Sequence, residues 1–306
     1  MNKIPVGATI AHAYRFAFRD CVKILRASWI ALLLQSVLSF FITQRMAGVM
    51  VSIMTHDPSA IGQVGPMLLI YPFALILFFV QLTAITDLAL NPDRPVGIFN
   101  FPIGRPTWRM VGTFILATLA IAAIVVIFII AAIVLGIVLK MAALPKAIAA
   151  LAVLLGILIG YGGFIYIVCR FYFLLAPIAI AEERIALSRA WNLTKGNFWR
   201  IFLIVLAIFI PVIVVEYAVM FATIGLPPAL PHGTGPEAMR ALQEAKLAWN
   251  LAMFAAMQKY WYAALPLFFV LMVFWLGTSC GAQVFAYRKL TEDEGLAPIA
   301  GHRLPD

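Results

Sequence analysis

Apolar runs as long as a membrane is thick alternate with short polar loops along this chain. A helix needs about 20 mainly apolar residues to cross the hydrocarbon core. Residues 25–43, 66–86, 110–139, 147–168, 198–221 and 260–285 meet that requirement. The third run exceeds a single crossing, which predicts tilt or protrusion. Pro72, Pro211 and Pro266 fall within runs, and membrane helices tolerate this where neighbours satisfy the freed backbone groups. The short alternating strands of a membrane β-barrel are missing. The pattern therefore predicts an all-α, polytopic helical membrane protein of about six transmembrane helices. It forms one domain over residues 1–290, followed by a mobile tail over 291–306.

Composition points the same way. Hydrophobic residues make up 64% of the chain and charged residues 11%, against about 25% charged in globular domains; mean hydropathy is +1.01. Placing the N-terminus in the cytoplasm puts most of the 22 Lys and Arg on that side. Arg45, Lys140, Lys146, Arg240, Lys246 and Lys259 alone fall opposite. The positive-inside rule then makes both termini cytoplasmic. The net charge of +9 reads as contact with anionic lipid headgroups. No soluble basic domain exists to hold nucleic acid. The first 24 residues lack the apolar core and small-residue cleavage site of a signal peptide. Cys21, Cys169 and Cys280 fall towards the cytoplasmic half and read as unpaired thiols.

Between the spans lie amphipathic segments. Over residues 1–24, His12, Arg15, Arg19, Lys23 and Arg26 recur at three- and four-residue steps as a cationic stripe, opposite Ile10, Tyr14, Ala17, Phe18, Cys21 and Leu25. That phasing suits a helix in the headgroup plane; the alternative is a cytoplasmic helix packed on the bundle. Residues 181–196 form a second such helix, with Arg184, Arg189 and Lys195 on one side. Gly196 can take the left-handed conformation that ends helices and Asn197 is a good N-cap, which together make a corner before Arg200 and the fifth span. Residues 234–258 open with a capping box, Thr234 to Glu237, and line Met239, Leu242, Trp249, Met253 and Met257 along a non-cytoplasmic helix. Ala13-Tyr14 before Asp20 and Lys23 echoes Ala190-Trp191 before Asn197 and Arg200, with a weaker version in residues 104–109. The echo suggests three repeated helical hairpins.

Chemistry is sparse. Intramembrane charges are functional suspects, and Glu216 is the foremost, as a proton relay, a cation ligand or a group reaching the outer headgroups. Arg170 and Asp87 end neighbouring spans on one face, which suggests an ion pair between them, or between Arg170 and Glu182 or Glu183. Gln35 and Gln81 are expected to bridge helices. Residues 277–281 match the G-x-S-x-G nucleophile elbow, yet that elbow needs a strand-to-helix turn and here lies in an apolar helix. Gly277 and Gly281, like Gly156 and Gly160, read as close-packing faces. His12, His56, His232 and His302 show no metal-ligand spacing, and no phosphate-cradling loop is present. No catalytic residue, metal or cofactor is expected.

Residues 170–202 carry one further pattern: Arg170-Phe171, Pro177, Glu182, Ala190-Trp191, Leu193-Thr194, Gly196 and Phe198-Trp199-Arg200. It resembles the signature of a bacterial family, the membrane domain attached to some glycerophosphodiester phosphodiesterases and its free-standing YciC-like relatives. The resemblance implies a polytopic protein of the bacterial inner membrane. It implies no phosphodiester hydrolysis, since the fused phosphodiesterase is a separate soluble domain with no room here. Two functions remain open. One is a non-catalytic organiser of membrane lipids, anionic ones foremost, or of a protein partner or second copy, through Arg15, Arg19, Lys23, Arg26, Arg189, Lys195 and Arg200. The other is a transporter or channel for a small or amphipathic solute.

Overall fold

The computed structural model describes residues 3–54, 59–97, 99–142, 145–185, 187–226 and 235–292, and these are helical with short connections. In chain order the helices are α1 (Val6–Arg19), α2 (Cys21–Met54), α3 (Ser59–Leu90), α4 (Arg105–Met141), α5 (Lys146–Tyr172), α6 (Leu175–Ala181), α7 (Leu187–Leu193), α8 (Phe198–Ile224), α9 (Pro236–Lys259) and α10 (Trp261–Thr291). Six of them, α2, α3, α4, α5, α8 and α10, contain windows apolar and long enough to cross a membrane. Contacts such as Lys23 with Pro92, Arg288 with Leu90, Tyr287 with Glu182 and Ile4 with Asn197 gather α1, the 91–104 loop, the α6–α7 connection and the end of α10 at one end. This basic end holds the polar contacts considered below.

Two large apolar clusters and a small third one around Ala31, Leu77 and Val80 hold the bundle. Ile4, Leu174, Leu175, Ile178, Ile201 and Ile204 are fully buried in one large cluster, and Ile24, Leu32, Ile85, Met110 and Leu276 in the other. α6 contributes Leu175 and Ile178 to the first; it is a short helix missing from the expected elements, where the fourth span ends at residue 168 and the next helix starts at 181. The chain turns at Phe173 and Leu174, and α6 then packs on α3, α4 and α10. By contrast, Ile127, Ile130, Val134, Ile157 and Ile159 on α4 and α5 stay exposed. Such a surface needs an apolar solvent.

α1 is a member of the bundle. Ala13 and Ala17 sit against Gly281 and Gly277 of α10, while Ile4 meets Asn197 and Tyr14 meets Ala207 on α8. The helix thus runs antiparallel to α10 and alongside α8. Its buried face is Thr9, Ala13, Phe16 and Ala17, while Phe18, Cys21 and Leu25 of the expected apolar face are exposed. Small residues decide the face here, because they alone let two helix backbones approach this closely. The stripe is also cut at Asp20, so Lys23 and Arg26 belong to α2. Of the three echoed segments, two form a short helix followed by a span; residues 104–109 instead form the start of α4 itself, with Gly104 at its N-cap. Thr234 lies outside the described residues, and α9 begins at Pro236 behind Gly235. The tail also changes: Thr291 closes α10, and 293–306 lie outside the described residues.

One contact explains how α8 carries a proline. Pro211 has no N–H to give the carbonyl of Ala207, one turn earlier, and the Tyr14 hydroxyl donates to that carbonyl at 2.7 Å. Tyr14→Phe is expected to destabilise the protein by about 1–3 kcal/mol, the cost of an orphaned buried acceptor, read as a lower midpoint in detergent-denaturant unfolding. In a Pro211→Ala background the same change should cost much less, since position 211 then donates to Ala207 itself. Equal costs in both backgrounds would refute the assignment.

Candidate functional site: a polar cavity at the basic end

The last turns of α3 carry a polar ladder. Thr83, Asp87 and Asn91 recur every four residues and so share one helix face. Asn91 Nδ2 donates to Asp87 Oδ1 at 3.0 Å, and the Arg94 guanidinium closes on the other oxygen of that carboxylate. Arg288 of α10 donates from Nη2 to the Leu90 carbonyl at 2.6 Å. Arg109 of α4 pairs with Glu183 at 3.2 Å, and Glu183 is held at a φ of 54°, a left-handed conformation costly for a side-chain-bearing residue. These walls enclose a cavity of about 880 Å³, completed by residues such as Ala27, Asn100, Ile180 and Tyr287. At its inner end Thr83 is 3% exposed, and its hydroxyl has no partner among the described residues.

Glu182 braces the cavity from outside. It accepts from Arg184 Nε at 2.9 Å, Arg189 Nε at 3.0 Å and the Tyr287 hydroxyl at 3.1 Å, tying the α6–α7 connection to α10. The expected Arg170 ion pair is absent, because each candidate acid is engaged elsewhere: Asp87 with Arg94, Glu182 with Arg184 and Arg189, Glu183 with Arg109. Arg170 is instead a buried peg. It donates to the Tyr166 hydroxyl at 2.8 Å and to the carbonyl of Trp191 at 2.5 Å, with its Cζ 3.6 Å from the Trp191 ring centre. A weaker contact reaches Thr194 Oγ1 at 3.4 Å.

The other singled-out residues scatter. Gln81 Nε2 donates to Gln35 Oε1 at 2.5 Å, joining α3 to α2. Glu216 is exposed on α8 and is not among the residues lining the cavity. A Cβ at Gly156 would meet the tip of Leu135 and one at Gly163 the tip of Phe128, each at 3.3 Å, whereas Gly160 faces open space. The close face of the α4–α5 pair therefore follows a seven-residue step, the repeat of left-handed helix pairs, in place of the four-residue step expected. Gly196 makes the corner at φ 75°. Asn197 makes no side-chain cap on α8; its Oδ1 accepts from the Ile4 amide at 3.1 Å, and Arg200 Nη1 donates to the Ile4 carbonyl at 2.8 Å. Arg200 and Arg189 thus serve internal contacts, while Arg15, Arg19, Lys23, Arg26 and Lys195 are exposed, Lys23 also reaching Asp20 and the Pro92 carbonyl.

Sequence reasoning missed the cavity. Its signal was available as a crowd of charges of both signs in the connections at one end, but charges there are equally expected on any membrane-facing loop. Six long apolar helices, with polar groups gathered at one end of the bundle, define a multi-pass integral membrane protein. The chain matches no family model, no curated protein and no solved structure.

Proposed function

We propose that the protein is a non-catalytic organiser of anionic lipid at the cytoplasmic face of a bacterial inner membrane, with both termini on that face. The observation that carries this reading is the surface at the α1–α2 corner. There Phe18, Val22 and Leu25 are exposed between exposed Arg15, Arg19, Lys23 and Arg26. Water disfavours such an apolar surface, and the boundary between headgroups and acyl chains suits both halves of it. Exposed Trp108 and Trp199 extend the same belt. The pattern over 170–202 supports membership of the YciC-like family, and a protein partner or second copy would be recruited from this face. Transport through Glu216 has less behind it, because that side chain lies on the outer surface of α8, away from the polar cavity.

Native mass spectrometry in discs of mixed phosphatidylglycerol and phosphatidylcholine tests the reading. The wild-type chain is expected to retain phosphatidylglycerol in excess. Each cation near an anionic surface contributes about 1 kcal/mol, so the triple charge reversal Arg15→Glu, Arg19→Glu, Lys23→Glu should cut that preference by about a hundredfold or more, since three attractions are lost and three repulsions added. Unchanged lipid retention would remove the mechanism.

A further inference from the structure

We propose that the cavity at the basic end binds a phosphate ester, with its phosphoryl oxygens held by Arg288 and Arg94 and its ester-bearing arm reaching the Thr83 hydroxyl. At about 880 Å³ the space lies within the 300–1,000 Å³ usual for ligand sites. Its inner end presents a buried polar atom with nothing to bond: the Thr83 hydroxyl. Native chains rarely leave such a group unmet unless something outside the chain meets it.

The outer part presents unused donors. Arg94 commits Nη1 to Asp87, leaving most of its five N–H groups free. Arg288 gives one nitrogen to the Leu90 carbonyl and has no carboxylate partner among the described residues. The two guanidiniums sit on neighbouring parts of the chain, since Arg288 holds Leu90 while the Arg94 amide bonds the Asn91 carbonyl at 3.1 Å. The carboxylates do not cancel this. Asp87 and Glu183 are spent on Arg94 and Arg109, and Glu292 is held by Lys289 at 2.5 Å. Among the described residues, the positive charge of Arg288 is left without a carboxylate counterpart. Its field is felt nearby: burial first, then Arg288 and Arg15, hold the His12 imidazole below its usual pKa.

An anion is what such an arrangement lacks, and two separate guanidinium forks favour a phosphate, whose oxygens point in several directions, over a carboxylate that one fork saturates. The phosphate could be that of a soluble ester or of a lipid headgroup in the same leaflet. This proposal is independent of the α1–α2 lipid surface: Arg15 and Arg19 are exposed and outside the cavity lining, and the double charge reversal Arg15→Glu, Arg19→Glu should leave it untouched.

The test titrates the full chain in dodecyl maltoside with inorganic phosphate and, separately, with dihexanoyl phosphatidylglycerol, followed by calorimetry. Saturable binding of at least one probe is expected, with Arg288→Gln weakening it about tenfold or more, the scale of a lost charge-assisted hydrogen bond. Because Arg288 is exposed, that variant should unfold like the wild type. Thr83→Val should weaken the glycerol-bearing probe and spare inorganic phosphate. Lys195→Gln, exposed and outside the cavity lining, should change neither. Binding of the lipid probe alone assigns the site to headgroups, and binding of inorganic phosphate with equal or weaker lipid binding assigns it to soluble esters. No saturable binding of either probe would overturn the proposal. So would equal losses in Arg288→Gln and Lys195→Gln, which report diffuse charge, or a Thr83→Val chain that binds the lipid probe as tightly as the wild type.

Discussion

Arg170→Lys is expected to destabilise the bundle by about 3 kcal/mol or more although it keeps the charge. Arg170 is 4% exposed, and its guanidinium does several things at once. It satisfies the Trp191 carbonyl near the end of α7, it bonds the Tyr166 hydroxyl one turn back on α5, and its Cζ sits over the Trp191 ring. A lysine ammonium has no plane to stack and cannot reach divergent acceptors in one rotamer. Each buried acceptor left unmet costs about 1–3 kcal/mol, and a buried ammonium without partners adds its own desolvation penalty. Detergent-denaturant unfolding should show the lower midpoint, and limited proteolysis should open the 182–197 connection first, because α7 loses its tie to α5. The competing design, a salt bridge from Arg170 to Glu182, makes opposite predictions: Arg170→Lys would be mild, and Glu182→Gln would be as severe as Arg170→Ala. That outcome would sink the assignment.

The same residue shows how far the sequence reaches. The six spans were legible because crossing a bilayer demands length and apolarity, and both are properties of a window of sequence. Arg170 stood out for the same reason, as a charge at the edge of an apolar run. Its partner was not legible. Any of several nearby acids fitted the spacing, and the actual acceptors are a backbone carbonyl, hydroxyls and an aromatic face, which no charge pattern reveals. Asn197 repeats the lesson: an Asn before a helix suits an N-cap, yet the Ile4 amide, 193 residues away in sequence, takes its oxygen. α6 was hidden because a helix buried in protein and a helix buried in lipid have the same composition. The cavity was hidden because it is made where five helices and the 91–104 loop meet, and Thr83, its inner polar group, is an ordinary residue in a span.

Glycines that look alike in sequence should behave very differently when substituted, and Gly281→Val is expected to be among the most damaging single changes in the chain. A Cβ at position 281 would meet the Phe16 ring at 3.0 Å and the Ala13 Cα at 3.3 Å, and one at 277 would meet Ile24 at 2.9 Å and Ala17 at 3.3 Å. The Phe16 ring can turn aside, but the backbone of α1 cannot give without the whole helix shifting. Overpacking of this kind costs about 1–3 kcal/mol. Here the shift also strains what depends on the seating of α1: the Tyr14 bond to Ala207 and the clamp of Asn197 and Arg200 on Ile4. The double change at 277 and 281 should therefore release α1 from the bundle while the other helices stay paired, and the expected readout is rapid proteolysis confined to residues 3–20. Gly160→Val is the control. Nothing lies within 4 Å of its Cβ position, so it should leave the unfolding midpoint near that of the wild type. If Gly160→Val proved as costly as Gly281→Val, the small-residue face of α5 would be packed against something outside this chain, and a second copy or a partner protein would have to be sought there.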